Sequence, residues 1–84
     1  MSRQKLTTTA PSFIPLNKVD SSSINLLGYD EKSKTLRVQF KEGRMYDYYG
    51  VPKSKYLSAL NAESMGAYIN TEIKPNYRFS EVSN

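Results

Sequence analysis

The stretch that decides the fold is TLRVQFKEGRMYDYY, which runs from residue 35 to residue 49. Apolar and polar residues alternate along its first half, with Leu36, Val38 and Phe40 on one face and Arg37, Gln39 and Lys41 on the other. This alternation is typical of a strand that covers a core with one face only. The second half is rich in aromatic residues, which favour strands, and Glu42-Gly43 lies between the halves. The stretch therefore predicts a β-hairpin.

The length of the hairpin loop decides which face Tyr46 and Tyr48 occupy. A two-residue loop at 42–43 would pair Phe40 with Met45 and would place both tyrosines on the face of Arg37. A three-residue loop at 41–43, with Gly43 in the left-handed region, would pair Phe40 with Arg44 instead. A one-residue slip moves every side chain to the other face, so only one register can hold. We favour the three-residue loop. It places both tyrosines on the apolar face and leaves a polar face of Arg37, Gln39, Lys41, Asp47 and Tyr49.

The flanking sequence adds one strand and two helices. Residues 23–29 predict a strand that a polar turn connects to the hairpin. Val51-Pro52 predicts the start of a helix, because proline is accepted in a first helical turn. A second short helix is predicted over residues 65–73. The predicted fold is α+β, a three-stranded antiparallel β-meander with two short helices packed on one face. The predicted core consists of Ile24, Leu27, Leu36, Val38, Phe40, Tyr46, Tyr48, Leu57, Leu60, Ile69 and Ile73.

The N-terminal residues show no helix or strand period and include Pro11 and Pro15. We predict a flexible or extended basic arm over residues 1–18 and one domain over residues 19–84. The apolar pair Phe13-Ile14 is expected to dock, either on its own domain or on a partner protein.

Composition narrows the function. The 84 residues include no cysteine and no histidine, which removes disulfides, thiolate metal sites and the commonest general base. We therefore predict a domain that is not an enzyme and that uses neither a metal nor a cofactor. The net charge is +4, of which residues 1–18 contribute +3. No apolar run is long enough to span a bilayer, so we expect no membrane association and a cytoplasmic location in a bacterial host cell.

The sequence over residues 19–77 resembles the KTSC domain, which is named for its occurrence at the C-terminus of some lysyl-tRNA synthetases. No single element carries the resemblance; an ordered series of residues does. The series is Ser21-Ser22, Ile24, Gly28-Tyr29-Asp30, Leu36-x-Val38-x-Phe40, Gly43, Tyr46-x-Tyr48, Val51-Pro52, Tyr56, Ala62, Ser64-x-Gly66, Tyr68, Asn70, Ile73 and Tyr77. The resemblance implies a stand-alone domain of bacteria or their viruses, and RNA binding has been suggested for such domains because of the synthetase connection.

Three groups of residues are candidate sites. The polar strand face with its surroundings (Arg37, Gln39, Lys41, Arg44, Tyr49, Lys53 and Lys55) resembles a platform for single-stranded nucleic acid or a nucleotide. Tyr46 and Tyr48 can stack on bases or simply cover the core. In the Ser64-x-Gly66-x-Tyr68-x-Asn70 segment, Gly66 can let backbone donors approach an anion, or the segment can be a tight turn.

These sites support a leading function and two alternatives. The leading prediction is a small binding module for RNA or a nucleotide, with the basic arm as a non-specific clamp. One alternative is a phage-encoded protein-interaction module, whose arm binds a host or defence protein through Phe13 and Ile14. The other is a homo-oligomer that sequesters a small nucleotide.

Overall fold

The computed structural model describes residues 14–82 and contains one antiparallel sheet. Its five strands lie side by side in the order of the chain. The strands are β1 (Asn17–Lys18), β2 (Ile24–Asp30), β3 (Thr35–Phe40), β4 (Met45–Tyr48) and β5 (Phe79–Glu81). The predicted meander is β2–β4. The prediction of three strands is wrong in number, because β1 and β5 add one strand at each edge. Two or three residues are too few to show the alternation that reveals a strand in sequence.

The hairpin between β3 and β4 has the predicted three-residue loop. Val38 pairs with Tyr46 and Leu36 pairs with Tyr48. The Phe40 amide donates to the Arg44 carbonyl at 2.9 Å, and Gly43 has a φ of 112°. Because a positive φ is strained for residues with a side chain, glycine at this position fixes the register.

The helices lie on one face of the sheet. They are α1 (Lys53–Asn61), α2 (Met65–Tyr68) and a π-helical turn that continues α2 (Ile69–Ile73). The buried core between the helices and the sheet contains Ile24, Leu27, Leu36, Val38, Tyr48, Val51, Ala59, Met65, Ile69 and Ile73. The α+β class is confirmed. Over residues 14–82 the model has no helix with the length and apolar content to cross a membrane.

The predicted core is wrong at Leu57 and Leu60, whose side chains are 45% and 43% exposed. Helix α1 instead turns Ala59 into the core and stacks Tyr56 on Tyr29, with ring centroids 5.0 Å apart. Phe40 and Tyr46 are only half-buried and pack against the core from its side. Helix α1 has two apolar stripes with the same spacing, Tyr56-Ala59 and Leu57-Leu60. The stripe that contains the stacked Tyr56 is the one that faces the core.

The first described residues belong to the domain. Ile14 is 2% exposed, and Asn17 pairs with Leu27 of β2. A side chain at Gly28 would overlap the Pro15 carbonyl and contact Ile14, so glycine there lets the chain cross the sheet closely. Residues 14–18, which the prediction assigns to the arm, thus pack on the sheet of the domain. Of the two alternatives for Ile14, the structure shows docking on its own domain, whereas Phe13 lies outside the described residues.

Candidate functional site

The polar face of the sheet is centred on a buried ion pair. Arg37 Nε donates to Asp47 Oδ1 at 2.6 Å, and Arg37 Nη2 donates to Asp47 Oδ2 at 2.9 Å. The two side chains are only 9% and 4% exposed. The hydrogen bonds to Asp47 are the main reason that the pKa of Arg37 is raised. The buried carboxylate of Asp47 neutralises much of the guanidinium charge that a phosphate would meet, and the contact of Arg37 with nucleic acid stays a prediction.

The neighbours of Arg37 on this face also have partners in the domain. The Gln39 side chain accepts from Asn25 Nδ2 at 2.8 Å. The Tyr49 hydroxyl forms a 2.5 Å hydrogen bond with Ser80 Oγ. Lys41 and Arg44 are exposed at the end of the hairpin, where Arg44 lies 3.5 Å from a Glu42 carboxylate oxygen. The structure thus does not assemble the predicted residues into one basic platform.

The lysines of α1 lie apart from this face. Lys53 is 3.4 Å from Glu31, and Lys55 is 3.4 Å from Glu72. The hydrogen bond with Glu72 is the main cause of the raised pKa of Lys55. Both lysines form exposed ion pairs with acids of the same domain, which dilutes their attraction for phosphate.

The segment from Ser64 to Asn70 has a structural role. Ser64 caps α2, because its hydroxyl accepts from the Ala67 amide at 3.2 Å. Gly66 is buried, and a side chain there would overlap the Ser23 hydroxyl. Tyr68 packs against the core and Asn70 is exposed. Ser64 thus bonds to the local backbone and Gly66 packs closely on Ser23, both of which are contacts within the domain, and anion binding at Gly66 stays a prediction.

The helix-bearing face carries a groove at the β4–β5 side of the sheet. Tyr46 is in contact with both Phe40 and Phe79, with ring centroids 5.9 Å apart in each pair. The Tyr48 ring also lies 5.9 Å from Phe79. These rings border an opening of about 260 Å³ that Lys74 and Glu42 complete. Phe79 is 60% exposed, whereas Tyr48 is 3% exposed. The groove therefore has a buried aromatic floor and one exposed aromatic wall.

Charged groups stand at the rim of the groove. Lys74 Nζ lies 4.9 Å from the centre of the Phe40 ring, a cation–π contact. A hydrogen bond with Tyr46 is the main cause of the raised pKa of Arg44, and it places the guanidinium beside the tyrosine. The acids Glu42 and Glu81 also act on Arg44. The rim thus carries Lys74 over the Phe40 ring and Arg44 beside Tyr46, with the carboxylates of Glu42 and Glu81 near Arg44.

Sequence reasoning found two of the six residues that line this groove. Tyr46 and Tyr48 were candidates, and both line the groove, but only Tyr48 is also buried in the core. Lys74 and Phe79 were missed. The sequence signal for Phe79 is weak, a single aromatic residue in the polar run RFSE, and nothing in the sequence connects Lys74 to Phe40. Among residues 14–82 no cluster of acids has the arrangement of a metal site.

Comparison with known proteins identifies the family. The KTSC domain model matches residues 20–77. The chain belongs to the KTSC domain family. The crystal structure of a KTSC domain protein from Yersinia pestis superposes with a TM-score of 0.78 at 29% identity, covering 84% of this chain and 100% of that one.

KTSC relatives occur in two sizes. A lysine–tRNA ligase from Nostoc punctiforme is 36% identical over 69 residues, which are 82% of this chain and 12% of the ligase. The chain thus spans about an eighth of the length of that relative. A short protein from Tsukamurella paurometabola is 38% identical over 63 residues, which are 75% of this chain and 94% of the relative. The KTSC domain is therefore found both within a ligase and nearly alone.

Proposed function

We propose that this KTSC domain is a non-enzymatic binding module whose aromatic groove holds one unstacked base of a nucleotide. The base would belong either to single-stranded RNA or to a free nucleotide, since both offer an aromatic ring beside a phosphate. The observation that carries the proposal is the exposed ring of Phe79, which stands over Tyr46 and Tyr48 beside the ammonium group of Lys74.

The dimensions of the groove suit a single base. Small-molecule sites commonly have volumes of about 300–1,000 Å³, and the groove, at about 260 Å³, lies just below that range. The Phe79 ring plane makes angles of 72° with the Tyr46 ring and 39° with the Tyr48 ring. The exposed side of the Phe79 ring remains open for a base to stack on. Stacking between an aromatic side chain and a base stabilises a complex by about 1–3 kcal/mol per base.

The rim charges suit one phosphate rather than a long backbone. Lys74 is exposed and its ammonium group makes a cation–π contact with Phe40, so a phosphate can approach it without breaking an ion pair between described residues. Glu42 and Glu81 oppose further negative charge nearby. We therefore expect base stacking to supply most of the affinity and a single phosphate contact to add to it.

The relatives support RNA as the source of the base. Lysine–tRNA ligases act on a tRNA, and the Nostoc punctiforme ligase contains a region similar to 82% of this chain. A small domain that holds one unpaired base would be useful to such an enzyme as an accessory RNA contact.

The test measures binding of labelled single-stranded RNA oligonucleotides and of mononucleotides by fluorescence anisotropy and competition. Phe79→Ala should weaken binding about five- to a hundredfold, because one stack is lost. Leu57→Ala is the matched control, since it also removes an exposed apolar side chain but does not line the groove. Equal losses in the two variants would contradict a groove-specific contact.

The same assay separates the groove from the polar face and α1. Lys74→Gln should weaken binding, whereas Lys53→Gln should leave it unchanged. If Lys53→Gln weakened binding and Lys74→Gln did not, the binding site would include the residues predicted from sequence and not the groove. Oligonucleotides that bind while mononucleotides fail to compete would identify RNA as the ligand, and effective competition would identify a free nucleotide.

A further inference from the structure

The outer edge of β5 presents unpaired backbone groups. The Tyr49 amide donates to the Arg78 carbonyl at 2.9 Å, and the Val82 amide donates to the Met45 carbonyl at 2.8 Å. Hydrogen-bonded pairs alternate along an antiparallel ladder, so Ser80 is the residue of β5 that bonds back to β4. The N–H and C=O groups of Phe79 and Glu81 therefore point away from β4. No strand within residues 14–82 pairs with this edge.

We propose that β5 pairs with β5 of a second copy of this chain, which makes one continuous sheet through a closed two-fold dimer. The two-fold axis would pass at Ser80, so that Phe79 lies opposite Glu81 of the partner subunit. In this register each of the four outward groups in one copy meets a group of the opposite kind in the other. A shift of one residue would present the inward-facing groups of Ser80. A shift of two would leave the outward groups of either Phe79 or Glu81 without partners in β5, depending on its direction.

A second copy fits this edge better than other occupants. The pattern of outward donors and acceptors is complementary to itself under a two-fold rotation, which is the requirement for an isologous interface. Phe79, the most exposed large apolar residue among those described, would lie beside the aliphatic carbons of the partner subunit's Glu81, with its ring still open to the groove. The opposite sheet edge is the two-residue strand β1, which carries Lys18, and short charged edges resist pairing. Head-to-tail growth into fibres is therefore disfavoured, and a closed dimer remains.

The effect of this dimer on ligand binding rests on the proposed function of the groove. Phe79 forms the exposed groove wall, so pairing at β5 would bring the two grooves together across the two-fold axis. The ligand would then be a dinucleotide or a longer strand, with one base in each groove. The interface itself does not depend on any ligand. A contact of this length buries less area than the roughly 1,200 Å² of stable complexes, so the dimer should exchange with monomers.

Sedimentation velocity of the full chain, without ligand and over a wide concentration range, tests the proposal. We expect a monomer–dimer equilibrium. Glu81→Pro should raise the dimer dissociation constant about tenfold or more, because proline removes an outward N–H from each copy and leaves the inner ladder intact. Glu81→Gln is the matched control and should dimerise like the wild type. Thermal unfolding should show that both variants fold.

Two results would overturn the dimer. One is a wild-type chain that stays monomeric at every concentration. The other is a dimer that survives Glu81→Pro, since another surface, such as the exposed Leu57 and Leu60, would then hold it. Binding of a single mononucleotide by a monomeric chain would support the proposed function while the dimer fails. A dimer that binds neither RNA nor nucleotides would support the interface while the proposed function fails.

Discussion

Arg37 and Asp47 face each other across β3 and β4, and both carboxylate oxygens of Asp47 accept hydrogen bonds from the Arg37 guanidinium. The pair lies on the sheet face opposite the helices, in the row that also contains Gly28. Ile14 and the Pro15 carbonyl lie against Gly28, so the first described residues cross the sheet beside the pair. Arg37, which the sequence pattern suggests as a nucleic-acid contact, thus forms a buried ion pair within the domain.

Removing one member of this pair should destabilise the domain. Asp47→Ala is expected to lower the free energy of unfolding by about 3–5 kcal/mol, because it removes the buried carboxylate that neutralises the Arg37 guanidinium. The double variant Arg37→Met/Asp47→Leu should lose much less, since two apolar side chains need no partner. Urea denaturation measures both values. Similar losses in the single and double variants would show that the charges do not interact strongly.

Ile14 should contribute to stability as a core residue does. Ile14→Ala is expected to cost about 2–5 kcal/mol, whereas the exposed Leu57→Ala should change stability by less than about 1 kcal/mol. Thermal and chemical unfolding of the two variants provide the comparison. If Ile14→Ala were as mild as Leu57→Ala, the segment before β1 would not be part of the folded domain.

A methyl group at Gly66 should be tolerated when the Ser23 hydroxyl is removed or rotates away. Gly66→Ala places a carbon atom where the Ser23 hydroxyl lies, and such overlaps cost about 1–3 kcal/mol. Ser23→Ala removes the hydroxyl oxygen, so the double variant Ser23→Ala/Gly66→Ala should recover most of the lost stability. A double-mutant cycle in urea measures the coupling. Additive losses would place the strain elsewhere in α2.

Stability should fall in alkaline solution partly because of Tyr48. Burial is the main cause of its raised pKa in the folded chain, relative to the usual 10.0. The folded state therefore binds the tyrosine proton more tightly than the unfolded state, and this stabilisation is complete below pH 10 and is lost as the pH rises through the folded pKa. Tyr48→Phe should make the melting temperature less dependent on pH in this range. Identical alkaline profiles for the two chains would contradict the assignment to Tyr48.

The proposed RNA contact should depend only weakly on salt. One phosphate contact on a single strand gives a slope of about −0.7 in a plot of log affinity against log salt concentration. Lys74→Gln should bring the slope close to zero, and Lys53→Gln should not change it. A slope several times steeper in the wild type would indicate a broad basic surface, to which the three basic residues of the first eighteen would contribute.

The sequence alone determined the central hairpin, its register and the family. Alternation from Leu36 to Phe40 is visible because strand periodicity is local, and Gly43 fixes the loop because positive φ is a property of one residue. Tertiary structure alone decided three further features: the short edge strands β1 and β5, the buried pairing of Arg37, and the face that α1 presents. On α1, the stripes Tyr56-Ala59 and Leu57-Leu60 have the same spacing, and in the fold the first one packs, with Tyr56 on Tyr29 and Ala59 in the core. The groove is also a tertiary feature, because Phe40 is distant in sequence from Lys74 and Phe79 and meets them only when β5 pairs with β4.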